Sequence, residues 1–441
     1  MKARLKRAIE VLSGTFWVLP GLMTLAGTIL ALVLVYVDGK GTLPHWLLAS
    51  AWLYNGGSTG ARTLLGAVAS STIGVAGTVF SITIAALSLA AGQMGPRLLR
   101  NFTKDRGNQF TLGAFLGTFS YSLMVLRAVR SEEEGAFVPH LSLTFAIFLA
   151  FVCVGTLIYF VDHIASRINV DTVIDLVSDD VRRALQRLTV EEQQPSPPPL
   201  SFWDTAAPIA DDRRGYLQQL DAHGLAQWAA EKNASLLLLV RPGDYVFPGA
   251  PIAFVRPQVE GACDAVRNAT ALGPQRDSSA DIEFAVRQLV EVAVRALSPG
   301  INDPLTAISV VDRLGAALCD LEPLYLPTGV TVAEGRPVLV VPSADYDGLV
   351  DAMFHMIRQN GTRSTAVLMR ILDVLTAVVS LERRPARVAT LQRHANLVLD
   401  DASRNITTPA DLNDIRERHR GFVAMKEHGP LAAMASWSKA E

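Results

Sequence analysis

Small and hydroxyl-bearing side chains recur along one apolar segment in the N-terminal third of the sequence. They follow one another at intervals of three or four residues, which places them on a single face of a helix. The face consists of Ser70, Gly74, Gly77, Ser81, Ala85, Ser88 and Gly92. Such a face favours close helix packing of the small-xxx-small kind. It is also typical of a polar path, in which hydroxyl groups of several copies line an axis. Both interpretations can hold together.

A second group of polar residues lies in the sequence SPGINDP at 298–304. Pro299 and Gly300 predict a turn, after which Asp303 caps a new helix with Pro304 at its first position. This structural role leaves Asn302 unexplained, and the free N–H groups of a helix N-terminus bind anions readily. The alternative is therefore a ligand site at Asn302, Asp303 and Thr306 for a small ion or an anionic ligand.

Motifs of common catalytic and metal sites are missing from the sequence. There is no GxxxxGK[ST], no GxGxxG opening a helix and no HExxH. The eight histidines include no pair at i and i+4, and Cys153, Cys263 and Cys319 form no CxxC motif. We therefore expect no catalytic residues, no metal and no cofactor. A cytoplasmic enzyme with an unrecognised site stays as a third hypothesis without a supporting constellation.

Four apolar stretches occupy residues 1–161. The small-residue face from Ser70 to Gly92 lies along the second of them, so a membrane domain must position it. A helix needs about 20 apolar residues to cross the hydrocarbon core. The stretches contain no Asp, Glu, Lys, Arg or His, which argues against a proton-coupled pump. They cover approximately Phe16–Val37, Leu64–Ala91, Phe110–Leu126 and Leu141–Val161. The sequence thus predicts an α-helical transmembrane domain of four spanning helices.

Basic residues in the loops predict how this domain is oriented, because Lys and Arg concentrate on the cytoplasmic side. They are frequent before residue 8 and in the loop 92–109, whereas the loop 38–63 has only Lys40 and Arg62. We therefore expect both termini in the cytoplasm of a bacterium, with the chain in its inner membrane. The basic loop would lie at the membrane interface; its marked residues are Gln93, Pro96, Arg97 and Arg100.

The net charge of the chain changes from positive to negative at the end of the fourth apolar stretch. Residues 1–161 contain 12 Lys and Arg against 6 Asp and Glu, whereas residues 162–441 contain 28 against 36. An acidic second half disfavours nucleic acid as a partner. It would instead concentrate cations near the membrane.

The second half is predicted to begin with an amphipathic stalk helix over residues 162–190, followed by a Pro-rich linker at 191–204. A mixed α/β domain at 205–441 completes the chain. Within it, strands are predicted at 215–220, 236–240, 245–247, 252–256, 330–332 and 338–341, and helices at 223–232 and 281–297. The sequence VRPGDYVFPGAPIAFV at 240–255 indicates a small β-barrel-like part. The C-terminal part is helical. A carrier domain is excluded, because no lysine lies between Arg241 and Arg256.

Two longer stretches carry a family resemblance. Residues 87–130, which contain QMGPRLLRNF, and residues 282–314, which contain ALSPGINDP, resemble the bacterial predicted membrane proteins called domain of unknown function 2254. The resemblance implies the order of membrane half and cytoplasmic half, and it implies no activity. It also marks the residues to inspect first, which are Gln93, Pro96, Arg97, Asn302, Asp303 and Pro304.

Two functions compete at this point. The first is a homo-oligomeric ion channel or passive transport protein, with the second helix near the axis and the cytoplasmic domain as its gate. The second is a membrane-anchored sensor or scaffold, whose helices only pack and whose ligand binds near Asn302.

Overall fold

The computed structural model describes residues 16–40, 56–94, 105–130, 137–168, 170–276 and 281–430. The chain forms two compact units, Met1–Thr172 and Val173–Glu441. We call them the membrane unit and, after the orientation predicted from the sequence, the cytoplasmic unit. Their division falls inside the predicted stalk at 162–190, and the four predicted domain boundaries stay predictions.

Four helices lie in the described part of the membrane unit. Each includes a segment long and apolar enough to cross a membrane, which confirms the four spanning helices predicted from the sequence. The helices are α1 (Val18–Gly39), α2 (Ser58–Met94), α3 (Arg106–Ala128) and α4 (His140–Ile168).

Helix α3 lies at the centre of this unit and packs against α1, α2 and α4. Glycines bring the backbones of α1 and α3 together, since a Cβ on Gly27 would lie only 2.4 Å from the carbonyl oxygen of Gly117. Beside this crossing, the hydroxyls of Thr28 and Ser120 are 2.6 Å apart. Small residues and interhelical hydrogen bonds are the usual means of helix association in lipid.

Aspartates fix the ends of two membrane helices. Asp105 caps α3 by accepting a hydrogen bond from the amide of Gly107. Asp38, at the end of α1, accepts hydrogen bonds from the amides of Leu141 and Ser142 in the first turn of α4. These contacts satisfy N–H groups that a helix cannot pair internally.

The cytoplasmic unit begins within α5 (Val170–Leu188), whose apolar side chains are buried along one face, as its amphipathic sequence predicts. The Pro-rich segment after it contains a short 3-10 helix at Leu200–Trp203. This segment is held in place by residues 325–328: Val190 pairs with Tyr325, and Gln194 accepts a hydrogen bond from the amide of Thr328.

Eight strands and three helices follow, most of them at the positions that the sequence predicts. The strands are β1 (Ala207–Ala210), β2 (Gly215–Leu220), β3 (Ser235–Leu238), β4 (Tyr245–Val246), β5 (Pro251–Arg256), β6 (Thr270–Gly273), β7 (Val330–Ala333) and β8 (Arg336–Val340). The first helices between them are α6 (Ala222–Glu231), α7 (Ala262–Ala269) and α8 (Ile282–Ala296).

The predicted β-barrel-like part is wrong, because the strands form two open sheets. One sheet has the order β1-β5-β3-β8-β7 and the other has the order β4-β2-β6. Strands β3, β4 and β5 do follow one another as predicted, but β4 pairs with β2 instead of staying beside its neighbours in the chain. Closure into a barrel would require edge strands that pair with each other, and β1 and β7 do not pair in this way.

The helical C-terminal part agrees with the sequence prediction. Its helices are α9 (Pro304–Leu321), α10 (Tyr346–Asn360), α11 (Thr365–Leu381), α12 (Pro385–Asn405) and α13 (Pro409–His428). Three of these five helices have proline at the first turn, where its missing N–H costs no hydrogen bond. Helix α8 is mostly buried and packs against α9 and α10.

Candidate functional sites

The predicted small-residue face of α2 lies on the outside of the membrane unit. Ser70, Gly74, Gly77, Ser81, Ala85 and Ser88 are all exposed, and a Cβ on Gly74 or Gly77 would meet nothing within 4 Å. The packed face of α2 contains Ala61, Leu65, Ala69, Thr72, Ala76 and Val79. At about 100° per residue, the two faces lie on roughly opposite sides of the helix. We call the exposed one the open face.

Hydroxyl groups on the exposed surface of α2 are paired with their own helix. Ser70 donates to the carbonyl of Ala67 at 3.2 Å, and Ser81 donates to the carbonyl of Gly77 at 2.9 Å. Each hydroxyl oxygen still has acceptor capacity. The open face is therefore compatible with lipid, with another helix or with a water-filled path.

Other exposed surfaces of this unit carry large apolar side chains instead. Examples on α1 and α4 are Leu22, Leu25, Ile29, Phe148, Phe151 and Ile158. Large apolar residues suit contact with lipid tails, whereas small residues let two backbones approach closely. The open face therefore has the small residues that favour helix association, whereas these surfaces have large ones.

A buried polar face on α3 is a feature that the sequence interpretation missed. Asn108, Thr111, Thr118 and Ser122 recur at helical spacing, and all four are buried. The Sγ of Cys153 on α4 lies 3.2 Å from the hydroxyl of Thr118. The side-chain oxygens of Asn108 and Ser122, however, have no hydrogen-bond partner among the described residues. Buried polar atoms without partners are costly and often mark a place for water or an ion.

Charged groups lie near each end of α3. Close to its start, Asp105 pairs with His163 of α4 at 2.7 Å, and Tyr159 stacks on the imidazole ring. Near its other end, Tyr121 donates to the carbonyl of Ser142, whose amide and hydroxyl donate to Asp38. Both groups tie α3 and α4 to neighbouring parts of the membrane unit.

The predicted membrane-interface loop is only partly covered by the structure. Gln93 belongs to the last turn of α2, as does Gly92 of the small-residue face. Pro96, Arg97 and Arg100 lie outside the described residues. The interface role of this loop stays a prediction.

Asp303 and Pro304 occupy the cap and the first position of α9, which confirms the predicted structural role. The carboxylate of Asp303 accepts hydrogen bonds from the amides of Leu305 and Thr306 and from the hydroxyl of Thr306. The bond from that hydroxyl lowers the pKa of Asp303. An anion at this helix end would therefore meet an ionised carboxylate.

Asn302 differs from its two neighbours. It is exposed, and its backbone has a φ of 51°. Among residues other than glycine, asparagine adopts this left-handed conformation most readily. The turn thus explains why asparagine stands here, and it leaves the side chain available at the surface.

A cluster of two histidines and an aspartate joins α10 to α12. Oδ1 of Asp351 lies 3.0 Å from Nε2 of His355 and 2.8 Å from Nε2 of His394. The three ligand-type atoms lie within 4.8 Å of one another, close enough to share a metal ion. The same carboxylate oxygen also accepts a hydrogen bond from Arg393 at 2.6 Å.

The proton positions in this cluster fit hydrogen bonding better than metal binding. Burial lowers the pKa of His394 to about 4, so the ring is neutral and its Nε2–H donates to Asp351. Arg358, which has only donors, lies 3.3 Å from Nδ1 of His355. A metal bound to both Nε2 atoms would require the proton of each ring to lie on Nδ1. Nδ1 of His394 has no acceptor among the described residues, and Nδ1 of His355 would point its proton at the donor Arg358.

The cytoplasmic unit also contains a cleft with a volume of about 430 Å³. Strands β3 and β8 are parallel neighbours, and the segments that follow both strands, Arg241–Pro242 and Val341–Ala344, line the cleft. Ligands of α/β proteins commonly bind beyond the carboxyl ends of parallel strands. The sequence interpretation did not find this cleft, because β3 and β8 lie about a hundred residues apart in the chain.

Most of the cleft wall is apolar. The apolar residues include Leu188, Leu220, Ile282, Leu326, Val330 and Val341. Two charged residues line it as well: Asp281, bound by Arg276 at 2.6 Å, and Arg241, bound to Glu283. An apolar wall with few polar groups is typical of small-molecule sites.

Comparison with known proteins gives the family of this chain. The family model described as predicted membrane protein (DUF2254) matches residues 13–377. An uncharacterized protein of Mycobacterium tuberculosis (strain CDC 1551 / Oshkosh) is 33% identical over 429 residues, which cover 93% of this chain and 80% of the relative. An uncharacterized protein of Mycobacterium bovis has the same identity and coverage. No solved structure matches the chain significantly. The chain therefore belongs to the DUF2254 family of predicted membrane proteins, which confirms the resemblance seen in its sequence.

Proposed function

We propose that this membrane protein forms a homo-oligomer that conducts ions or passively transports a small solute, with α2 near the axis. The observation that carries the proposal is the open face of α2, which no other described helix of the same chain covers. Small residues on an outward face favour contact with a second copy. Helices that pack around a symmetry axis also line its centre.

The chemistry of the open face supports a passive path. Ser70 and Ser81 keep acceptor capacity while they donate to their own helix. Hydroxyl oxygens of this kind can contact a partly hydrated ion without a fixed charge. The acidic half of the chain, proposed to act as the gate, would raise the cation concentration at one mouth.

The proposed orientation places both termini in the cytoplasm of a bacterium, in the inner membrane. Its support is the distribution of Lys and Arg between the loops. Gln93, Pro96, Arg97 and Arg100 would then lie at the inner surface, where basic residues meet anionic lipid. Cysteine labelling from the two sides of the membrane tests this orientation.

Conductance measurements test the transport function. Purified full-length protein in planar bilayers should conduct, and Ser81→Leu or Ser88→Leu should remove most of the current by narrowing the path. Val154→Leu on α4 is the matched control, because Val154 is exposed and far from the open face along the chain. A monomer by native mass spectrometry that shows no current under varied ions, pH and tension would overturn the proposal.

A ligand sensor anchored in the membrane is the second candidate. It is favoured by Asn302, an exposed polar residue with a positive φ next to the N-terminus of α9. Asn302 would donate its side-chain N–H groups to an anion beside Asp303 and Thr306 and would offset the repulsion by the ionised Asp303; inorganic phosphate is the probe. Asn302→Gly keeps the backbone conformation and removes the amide, so it should abolish phosphate binding in ³¹P NMR titrations. Equal binding by wild type and variant would remove this candidate.

A further inference from the structure

The cleft beyond β3 and β8 has the size and the shape of a ligand site. Its volume of about 430 Å³ lies in the range of roughly 300–1,000 Å³ that is typical of small-molecule pockets. Its walls come from segments that are distant in sequence, including the end of α5 at Leu188 and the start of α8 at Ile282. The folded unit therefore assembles the cleft, and no single loop forms it alone.

Arg241 gives the cleft its polar character. Its Nη2 donates to Glu283, while the structure shows no partner for Nε and Nη1 among the described residues. Its side chain is 22% exposed, so these donors are only partly available to water. Each of these N–H groups can donate to a carboxylate, which is an acceptor that a guanidinium commonly binds.

Nearby carboxylates are already occupied and do not oppose an incoming anion as free charges. Asp281 accepts hydrogen bonds from Arg276 and from the amide of Phe284. Glu283 is bound by Arg241 and also by Arg287 at 3.3 Å. Among the described residues, the N–H groups of Arg241 at Nε and Nη1 are therefore the charged donors that remain for an incoming anion.

We infer that the cleft binds a small organic anion, with an apolar body against the aliphatic wall and one carboxylate on Arg241. The body would contact Leu188, which is the last residue of α5, and the linker residue Gln194. Binding would thus stabilise the packing of the stalk end and the linker on the cytoplasmic unit. This site does not depend on the proposed transport path, and a protein without conductance would keep it.

Calorimetry with 2-naphthoate tests the inference on the full chain in lipid nanodiscs, with empty nanodiscs as the blank. This probe has a rigid apolar body and one carboxylate, and 2-naphthylmethanol is its neutral match. Wild type should bind 2-naphthoate in a saturable manner. Arg241→Gln should weaken the binding of 2-naphthoate at least tenfold and leave the binding of 2-naphthylmethanol unchanged.

Two further variants separate the cleft from general effects of charge and folding. Arg287→Gln also removes a partner of Glu283, but Arg287 does not line the cleft, so it should bind 2-naphthoate as wild type does. Ser343→Trp should fill the cleft and abolish binding of both compounds. The inference is overturned by the absence of saturable binding to wild type, by unchanged binding to Ser343→Trp, or by equal losses in Arg241→Gln and Arg287→Gln.

Discussion

Helices α2 and α3 lie against each other in the membrane unit, and the less apolar of the two is the one that is buried. Helix α3 contains asparagine, glutamine, threonine and serine among its buried residues. Helix α2 is more apolar, yet its open face has no neighbour among the described residues of the chain. Hydropathy therefore identifies both helices as membrane spans, but it does not rank them by burial.

The difference has a physical reason. Lipid tails are as apolar as leucine, so helices in a bilayer associate through close backbone approach and hydrogen bonds. Helix α3 makes both kinds of contact with α1, at Gly117 and at Ser120. The open face of α2 has the residues for close approach without the neighbour. That contrast leads to predictions in which matched substitutions on the two helices give different results.

The largest difference is expected between two glycine substitutions. Gly27→Ala should destabilise the membrane unit by about 3 kcal/mol, because the new Cβ would overlap the carbonyl oxygen of Gly117. Gly66→Ala on α2 is the control; no atom lies within 4 Å of its added Cβ. It should be neutral or stabilising by up to about 1 kcal/mol. Thermal unfolding in detergent measures both, and equal melting temperatures would show that α1 and α3 do not cross at Gly27.

A smaller effect is expected on assembly. Gly77→Leu should leave the melting temperature of the protomer nearly unchanged, since a Cβ there meets no other described residue of the chain within 4 Å. It should weaken self-association by at least about 1.4 kcal/mol, or tenfold, because leucine would hold two copies apart. Native mass spectrometry over a range of protein concentrations measures the association. Unaltered association of Gly77→Leu would show that the open face contacts lipid.

The sequence alone predicted which residues form the small-residue face, but it did not predict whether that face packs against other helices. Its spacing is visible from Ser70 to Gly92, yet the packed face of α2 is also made of small residues such as Ala69 and Ala76. Periodicity therefore could not tell which face packs. Polar residues at helical spacing on α3, from Asn108 to Ser122, were an available signal, but their burial depends on three other helices.

The cytoplasmic unit shows the same limit. Alternating apolar residues and turn residues located β3, β4 and β5 correctly. Their partners β8 and β2 were not encoded in that local pattern, so the barrel was a wrong extrapolation from chain order. The cleft was missed for the same reason. Asp303, in contrast, was predictable because a helix cap is decided by residues adjacent in sequence.

A third and smaller difference is expected from serine substitutions. Ser120→Ala should destabilise the membrane unit by about 0.6 kcal/mol, the average for a hydrogen bond between membrane helices, because it removes the contact with Thr28. Ser81→Ala should have no effect on the protomer, since Ser81 bonds only to its own helix. Unfolding by a denaturing detergent measures both variants. Equal losses of stability in Ser120→Ala and Ser81→Ala would contradict the idea that α3 hydrogen-bonds to its neighbour while the open face of α2 does not.

The smallest effect on stability is expected for Ser122→Ala. This variant could also reverse the roles assigned to α2 and α3. The hydroxyl oxygen of Ser122 is fully buried and has no partner among the described residues, so Ser122→Ala removes an unsatisfied group and should be neutral or slightly stabilising. The same unfolding measurement applies, with Ser120→Ala as the matched serine on the same helix. A loss larger than about 1 kcal/mol would mean that Ser122 binds a water molecule or an ion inside the protomer. The proposed conducting path would then run along α3, and the open face of α2 would serve only the proposed association of copies.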